Sequence, residues 1–172
     1  VKTRKSGVKM RRQVGSDLNE SVIDGVTIDS RNIRPGFIFV ACRGATATSS
    51  DGHAFIDEAM RRGASAVVAE AIAGSNPQVP VILVDDSRVA VAQLCEAFAD
   101  FPSRRLKIAG ITGTNGKTSV AHLCAAIVDA AGGKGAVVGT LGIGQPSALL
   151  AQDFTTPDAE FLSPALGLLR DR

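Results

Sequence analysis

The chain has 172 residues, of which 45% are hydrophobic, and a formal net charge of +2. This composition supports a packed core and excludes a globally disordered chain. Tryptophan and tyrosine are absent, so aromatic platforms for stacking single-stranded nucleic acid are not expected, and we predict no nucleic-acid partner. No apolar run is long enough to cross a bilayer, and we expect no membrane insertion.

Residues 1–20 predict a flexible basic tail. Six lysines and arginines stand against two acidic residues in this segment. Such a run is most often a solvated, mobile terminus. Contact with nucleic acid or anionic lipid is the alternative that the charge leaves open.

Residues 21–103 predict a small α/β domain, because short apolar runs alternate with helix-like periodicity. The predicted strands are 22–28, 37–41, 66–69 and 81–84. The predicted helices are 53–62 and a second one after 87, where Ser87 resembles an N-cap. A linker is expected at 101–105, where a proline interrupts the pattern.

Residues 106–172 predict the beginning of a parallel-sheet domain. A strand at 106–111, a helix after the following glycine turn and a strand at 135–140 would form one β-α-β unit. A loop is expected at 142–152, and a further helix at 157–169. Because one such unit leaves strand edges unpaired and a sheet face uncovered, we expect this domain to be truncated.

The glycine-rich turn in Gly110–Ser119, which reads GITGTNGKTS, is the most informative segment for function. A turn of this kind between a strand and a helix places backbone N–H groups at a helix N-terminus, where negative charge is favoured. Gly113 and Gly116 allow close approach of the main chain to a ligand. Lys117 can reach the outer phosphates of a nucleotide, and the Thr118 hydroxyl can bind Mg²⁺. The sequence therefore predicts an ATP site, with a ligand-free glycine turn as the alternative.

The match to the general phosphate-loop pattern is imperfect, because glycine would be required at position 111, where the chain has Ile111. A generic nucleoside triphosphatase is therefore disfavoured. The shorter form Gly-Thr-Asn-Gly-Lys-Thr is intact at 113–118.

The three cysteines, Cys42, Cys95 and Cys124, are far apart and form no Cys-x-x-Cys pair. We interpret them as buried apolar side chains in a reducing cytoplasm rather than as a disulfide frame or a zinc site. A nucleophilic pair of Cys124 with His53 is a minor alternative, since nothing local supports activation.

Several motifs occur in an order that resembles the Mur ligases, the ATP-dependent amino-acid-adding enzymes of bacterial peptidoglycan synthesis. The first three are Thr27–Arg31, Pro35–Ala41 and Asp51–Ile56, which resemble the N-terminal domain of that family. The loop at 110–119 resembles its ATP loop. The motifs Gly139–Gly142 and Thr155–Asp158 narrow the resemblance to the MurE-type members, which add meso-diaminopimelate or L-lysine as the third residue.

The resemblance implies a reaction and a set of site residues. ATP and Mg²⁺ would activate a glutamyl carboxylate of UDP-N-acetylmuramoyl-L-alanyl-D-glutamate as an acyl phosphate, and the amine of an amino acid would attack it. Lys117 would be catalytic and Thr118 would hold the metal. The nucleotide would be bound by Gly113, Thr114, Asn115, Gly116, Lys117, Thr118 and Ser119. The UDP substrate would contact Ile28, Ser30, Thr155 and Thr156, with Gly44, Ala45 and Thr46 nearby.

Simpler interpretations exist for two of these motifs. Ser30 alone reads as a turn-forming serine, and the segment at 155–158 as a turn before a helix, with Pro157 at the first helical position. Phe154 also stands where relatives often have a polar residue, which weakens a contact there.

The expected function is thus that of the N-terminal part of a MurE-type ligase, inactive as an isolated chain. The alternatives are another Mur-type or folylpolyglutamate-type ligase, and a non-catalytic module that binds a UDP-sugar or a nucleotide.

Overall fold

The computed structural model describes residues 10–14, 23–44, 50–72, 77–152 and 156–171. The chain divides between Phe98 and Ala99 into two compact units. The first unit is an α/β domain, and the second contains two helices and a small antiparallel sheet. The predicted α/β class is therefore confirmed. The boundary lies a few residues before the predicted linker, and Pro102–Arg104 of that linker forms a 3-10 helix in the second unit.

The first unit contains a five-stranded sheet in the order β1-β5-β4-β3-β2. The strands are β1 (Met10–Val14), β2 (Gly25–Thr27), β3 (Phe37–Val40), β4 (Ala66–Ala69) and β5 (Val81–Val84). Strands β2 to β5 are mutually parallel, with Ile38 opposite Ala66 and Val67 opposite Val81. This confirms the predicted strands, although β2 begins three residues later than predicted.

The core of the first unit explains why these short apolar runs become strands. All four residues of β4 are buried, as expected for a parallel strand covered on both faces. Phe39 of β3 and Val67 of β4 pack with Ile56 and Ala59 in one cluster. A second helix packs against β2, β3 and β4.

Two helices flank this sheet, and their starts differ from the prediction. The predicted helix at 53–62 is a 3-10 helix over Gly52–Phe55 followed by α1 over Ile56–Arg61. Helix α2 covers Ser87–Phe98. Its cap is Asp86, whose Oδ1 accepts the backbone N–H groups of Arg88 and Val89 at 2.9 and 3.0 Å. The prediction of Ser87 as N-cap is wrong, because this serine is buried and its hydroxyl is used elsewhere.

The predicted basic tail is wrong for residues 10–14. These residues form β1, which pairs antiparallel with β5, with Met10 opposite Val84 and Val14 opposite Val81. Backbone pairing stabilises a strand whatever the charge of its side chains, and an unpaired β5 edge would favour such an addition. Residues 1–9 and 15–20 of the predicted tail lie outside the described residues.

The second unit begins with the predicted helix and strand. Helix α3 covers Lys117–Ala130, and β6 covers Val137–Gly139. Gly132 follows the helix with a φ of 78°, which is a left-handed conformation that suits glycine at a helix end. Helix α4 covers Ala159–Arg170, close to the predicted helix.

The predicted parallel β-α-β unit of this second half is not formed. The segment 106–111 is not a strand, and residues 107–110 of it are exposed. Strand β6 pairs antiparallel with β7 (Gly142–Gln145), which pairs with β8 (Ala148–Leu150). Closing a two-residue turn costs much less entropy than pairing strands across a helix. This local pairing therefore replaces the parallel one, and the predicted loop at 142–152 is wrong.

The start of the second unit carries backbone strain. Asp100 and Phe101 have φ values of 58° and 50°, which is unfavourable for residues with a Cβ. Arg170 of α4 holds this segment, because its guanidinium donates to the Ala99 carbonyl at 3.4 Å and to the Asp100 carbonyl at 3.0 Å. The Arg104 guanidinium also lies 4.0 Å from the centre of the Phe101 ring.

Among the described residues, no helix has the length and apolar character needed to cross a membrane.

Candidate functional site

The glycine turn at 113–116 leads directly into α3, as predicted. Gly113 and Gly116 have φ values of 154° and 79°, so both use conformations that L-residues rarely adopt. A Cβ added at Gly116 would meet no atom within 4 Å. The glycine is therefore required here for the backbone conformation, and the space beside the turn is open.

No side chain caps the backbone N–H groups in the first turn of α3. Its N-cap is Gly116, which cannot supply one, and the first turn carries no acidic residue. In the described structure, none of the amides of 112–119 donates to a backbone carbonyl. Unpaired N–H groups at a helix start, next to the positive end of the macrodipole, suit an anion.

Lys117 is folded back onto the turn. Its Nζ donates to the Gly113 carbonyl at 2.7 Å and to the Thr114 carbonyl at 3.4 Å. The side chain is half-buried, as is that of Thr118, whereas Thr114, Asn115 and Ser119 are exposed. The ammonium group therefore lies against the carbonyl groups of the turn. All seven predicted nucleotide-binding residues occur in this one turn and the first turn of α3.

Ser30, one of the predicted substrate residues, lies in a tight turn after β2. It begins a 3-10 helix over Ser30–Asn32, is 6% exposed and directs its hydroxyl to Glu58 Oε2 at 3.4 Å. Glu58 also pairs with Arg62 at 2.8 Å. Ile28, between β2 and this turn, is half-buried. The turn-forming role of Ser30 is thus present in the structure.

The neighbours of Ser30 cap the same turn. Asp29 Oδ1 accepts the backbone N–H of Arg31 at 2.9 Å, and its carboxylate pairs with the Arg31 guanidinium at 2.7 Å. These bonds from Arg31 lower the pKa of Asp29. The Asp-Ser-Arg motif therefore forms a self-supporting turn at the carboxyl end of a parallel strand, an edge at which α/β proteins commonly bind ligands.

The segment that begins at Cys42 follows β3 and therefore lies at the same carboxyl edge of the sheet. The Gly52 amide donates to the Cys42 carbonyl at 2.8 Å. This bond joins the two ends of the segment between Cys42 and Gly52, hereafter the polar loop. Cys42 and Gly44 are half-buried, and burial raises the pKa of the Cys42 thiol. Ala45 and Thr46 lie outside the described residues.

The predicted Thr-Thr pair is only partly described. Thr155 and Phe154 lie outside the described residues, and Thr156 is exposed. Asp158 caps α4, accepting the Phe161 amide at 3.1 Å. The prediction of Pro157 at the first helical position is wrong, because the helix begins at Ala159 and the proline precedes the cap.

The predictions for the cysteines need correction. All three are free, but Cys95 is buried, Cys42 is half-buried and Cys124 is exposed. His53 is engaged on both ring nitrogens, with Nδ1 2.6 Å from Asp51 Oδ1 and Nε2 accepting the Glu70 amide at 3.1 Å. This leaves His53 no ring nitrogen to activate a thiol. No group of three or more His, Cys, Asp or Glu side chains suited to a metal ion occurs among the described residues.

Both halves of the chain match models of known protein families. Residues 22–99 match the model for the Mur ligase family, catalytic domain, and residues 111–170 match the Mur ligase middle domain. The chain belongs to the Mur ligase family. The two matched ranges correspond closely to the two compact units of the structure.

Among individual Mur ligases, the chain is similar to enzymes of one name. The chain is 43% identical over 136 residues to the UDP-N-acetylmuramoyl-L-alanyl-D-glutamate–2,6-diaminopimelate ligase of Aquifex aeolicus, covering 79% of the chain and 27% of that protein. It is 41% identical over 155 residues to the ligase of the same name from Pseudomonas syringae pv. tomato, covering 88% of the chain and 31% of that protein. The chain thus spans about 30% of the length of these Mur ligases.

A solved structure, the MurF ligase of Thermotoga maritima in complex with ADP, is 28% identical, with a TM-score of 0.45. The similarity covers 66% of the chain and 25% of that structure.

Sequence reasoning missed one set of residues beside the predicted substrate segment. Glu70, directly after β4, pairs with Arg43 at 3.0 Å and accepts the Ser87 hydroxyl at 3.0 Å. The signal for it was a carboxylate at the end of a buried parallel strand, where polar side chains cluster around a ligand edge.

Proposed function

We propose that this chain supplies the UDP-substrate-binding segment and the ATP-binding turn of a MurE-type ligase. The reaction joins an amino acid, meso-diaminopimelate or L-lysine, to the glutamyl carboxylate of UDP-N-acetylmuramoyl-L-alanyl-D-glutamate. ATP supplies the phosphoryl group that converts this carboxylate into an acyl phosphate. The similarity to two ligases of that name, at 43% and 41% identity, supports this assignment.

The observation that carries the proposal is the turn at 113–116. It combines two glycines with positive φ, a helix start without a capping side chain, and a lysine folded over the loop. Backbone N–H groups that need no reorganisation are the most effective donors to phosphate oxygens. We propose that the amides of 113–119 hold the phosphates of ATP.

Lys117 is proposed as the catalytic residue of the turn. Its ammonium now donates to two loop carbonyls, and both contacts are replaceable because the side chain is unbranched and only half-buried. If the ammonium group moved from these carbonyls to the outer phosphates, it would neutralise the negative charge that develops as the phosphoryl group leaves.

Thr118 is proposed to hold Mg²⁺. One hydroxyl suits this ion, which binds to few protein oxygens and keeps water and nucleotide phosphates as its other ligands. When bound, Mg²⁺ supplies positive charge to the phosphates during transfer.

Ile28, Ser30, Thr155 and Thr156 remain the proposed contacts to the UDP-muramoyl substrate. Ser30 is the best supported of the described ones, because it lies at the carboxyl edge of the sheet with its hydroxyl in a weak 3.4 Å bond to Glu58, which a diphosphate oxygen can replace. The cytoplasm is the proposed location, supported by three cysteines that remain free thiols.

Titration calorimetry of the 172-residue chain with Mg-ATP tests the nucleotide site. We expect binding that Lys117→Ala weakens by at least tenfold, because a charge-assisted contact to phosphate is lost. The matched control is Lys107→Ala, which removes an exposed lysine ten residues earlier and should leave the affinity unchanged. Equal affinities for the two variants would refute the proposed role of Lys117.

A second titration with UDP-N-acetylmuramoyl-L-alanyl-D-glutamate tests the substrate site independently. Binding that Lys117→Ala does not alter would support a separate site in the first unit. Failure of the chain to bind this compound while it binds Mg-ATP would favour the alternative of a nucleotide-binding module.

A further inference from the structure

Glu70 joins three separate segments at the carboxyl edge of the parallel sheet. Its Oε1 accepts the Ser87 amide at 3.2 Å and the Ser87 hydroxyl at 3.0 Å, and its Oε2 pairs with Arg43 Nε at 3.0 Å. Its own backbone N–H donates to His53 Nε2 at 3.1 Å. The residue follows β4, whereas Arg43 follows β3 and Ser87 begins α2.

These contacts hold both ends of the polar loop. Arg43 lies at one end, and its backbone carbonyl is also fixed by the Arg88 guanidinium at 2.7 Å. His53 lies at the other end. Because Nε2 of His53 accepts a hydrogen bond, its proton resides on Nδ1, from which it is donated to Asp51 at 2.6 Å.

The Glu70 carboxylate itself is not available to a ligand. Both of its oxygens are engaged, and its side chain is only 17% exposed, whereas that of Arg43 is 65% exposed. A bare carboxylate beside a diphosphate would repel it, but the paired guanidinium neutralises this charge. The arrangement therefore holds the described ends of the loop, 42–44 and 50–53, without adding negative charge to the edge of the sheet.

We propose that Glu70 is a positioning residue for UDP-substrate binding. Its carboxylate acts through Arg43, and its backbone N–H acts through His53, on the described ends of the loop, 42–44 and 50–53. This inference rests on the proposed function, since it assumes that the carboxyl edge of this sheet receives the UDP-muramoyl substrate. It assigns a role to a residue that makes no contact with the ligand.

Glu70→Gln tests the inference in the 172-residue chain. The amide retains an acceptor for Ser87 but loses the charge pair with Arg43. We expect affinity for UDP-N-acetylmuramoyl-L-alanyl-D-glutamate to fall on the order of tenfold, as for loss of a charged hydrogen bond. Mg-ATP affinity should be unchanged, and the chain should remain folded at the temperature of the titration. Glu96→Gln, the same change of charge farther along α2, should bind as the unsubstituted chain does.

A merely structural role for Glu70 would give a different pattern. It would lower the melting temperature and weaken both ligands together, and that result would overturn the inference. If Glu70→Gln unfolds the chain, Arg43→Gln serves as the second variant, because it breaks the same pair at an exposed position. Arg43→Gln should then weaken the UDP compound alone, and unchanged affinity would count against positioning.

The failure of this inference is distinguishable from the failure of the proposed function. In the first case the unsubstituted chain binds the UDP compound, and Glu70→Gln binds it equally well. In the second case the unsubstituted chain binds no UDP compound at all, while its fold, measured by circular dichroism, is intact.

Discussion

Replacing Gly52 by alanine should destabilise the first unit by forcing the ends of the polar loop apart. Gly52 is buried, and a Cβ at this position would lie 2.6 Å from the Cys42 carbonyl oxygen and 2.8 Å from the Cys42 amide nitrogen. Both atoms belong to the backbone, so no side-chain rotation can relieve the clash. The Gly52 amide also donates to the same carbonyl at 2.8 Å, and this bond would be strained by any shift.

The magnitude follows from three terms. Inserting a methyl group against fixed backbone costs about 1–3 kcal/mol, and loss of the backbone hydrogen bond costs about 1 kcal/mol. The lower entropy of the unfolded alanine chain returns about 0.4–1 kcal/mol. We therefore expect Gly52→Ala to reduce the free energy of unfolding by about 1–3.5 kcal/mol.

Urea unfolding followed by far-ultraviolet circular dichroism measures this change, since the chain has no tryptophan or tyrosine for fluorescence. Amide exchange at Val67 and Val68 of β4 reports on the first unit alone. The control is Gly110→Ala, where an added Cβ meets nothing within 4 Å and the change should stay within about 0.5 kcal/mol. If both variants unfold at the same urea concentration, the described closure of the loop by Gly52 is incorrect.

Three further predictions concern the second unit and the thiols. Gly116→Ala should lower the free energy of unfolding by about 1 kcal/mol and weaken Mg-ATP binding, because the φ of 79° at this position is unfavourable for a residue with a Cβ. An unchanged melting temperature would contradict this prediction. Cys124, which is exposed, should react with a thiol reagent before Cys42, whose raised pKa leaves less thiolate at a given pH; faster labelling of Cys42 in mass spectrometry would refute the order. Arg170→Met should destabilise the second unit by about 1–2 kcal/mol, since it removes the donors to two carbonyls. The control Arg105→Met, which breaks only an exposed ion pair of 3.4 Å, should cost under about 0.5 kcal/mol in the same thermal melt.

The parallel strands of the first unit were predictable because their signal is local. Phe37–Val40 and Val81–Val84 are short apolar runs bounded by turn residues, and a parallel sheet buries such runs on both faces. Helix α3 was predictable for the same reason, since glycines precede and follow an apolar period of three to four.

Strand β1 was not predictable from the sequence. Its charged side chains indicate a solvated segment, whereas the strand is formed by backbone hydrogen bonds to β5. A segment with a high density of positive charge reads as solvated, yet the antiparallel ladder to β5 uses only N–H and C=O groups. The pairing joins residues about seventy positions apart, which no local pattern encodes.

The β7–β8 hairpin differs from the predicted loop at 142–152, and two residues of β7 are glycines. Gly142 and Gly144 have φ values of 133° and 137°, and a Cβ at Gly144 would lie 2.7 Å from the Ala148 carbonyl oxygen. Glycine here permits close approach of two strands rather than ending one.

The glycine turn at 113–116 could be predicted residue by residue, whereas the Glu70 contacts could not. The turn is one contiguous segment, so spacing alone places its groups together. Glu70, Arg43 and Ser87 come from three elements, and only the strand order brings them within hydrogen-bonding distance.

The antiparallel pairing of β1 has a practical consequence for anyone trimming this protein. Removing residues through Val14, as a nominally dispensable leader, would leave the outer side of β5 without its ladder partner. A bared strand of Val-Ile-Leu-Val is a template on which other chains assemble. Shortened versions should therefore precipitate or self-associate, and purification tags belong ahead of Met10 rather than in its place.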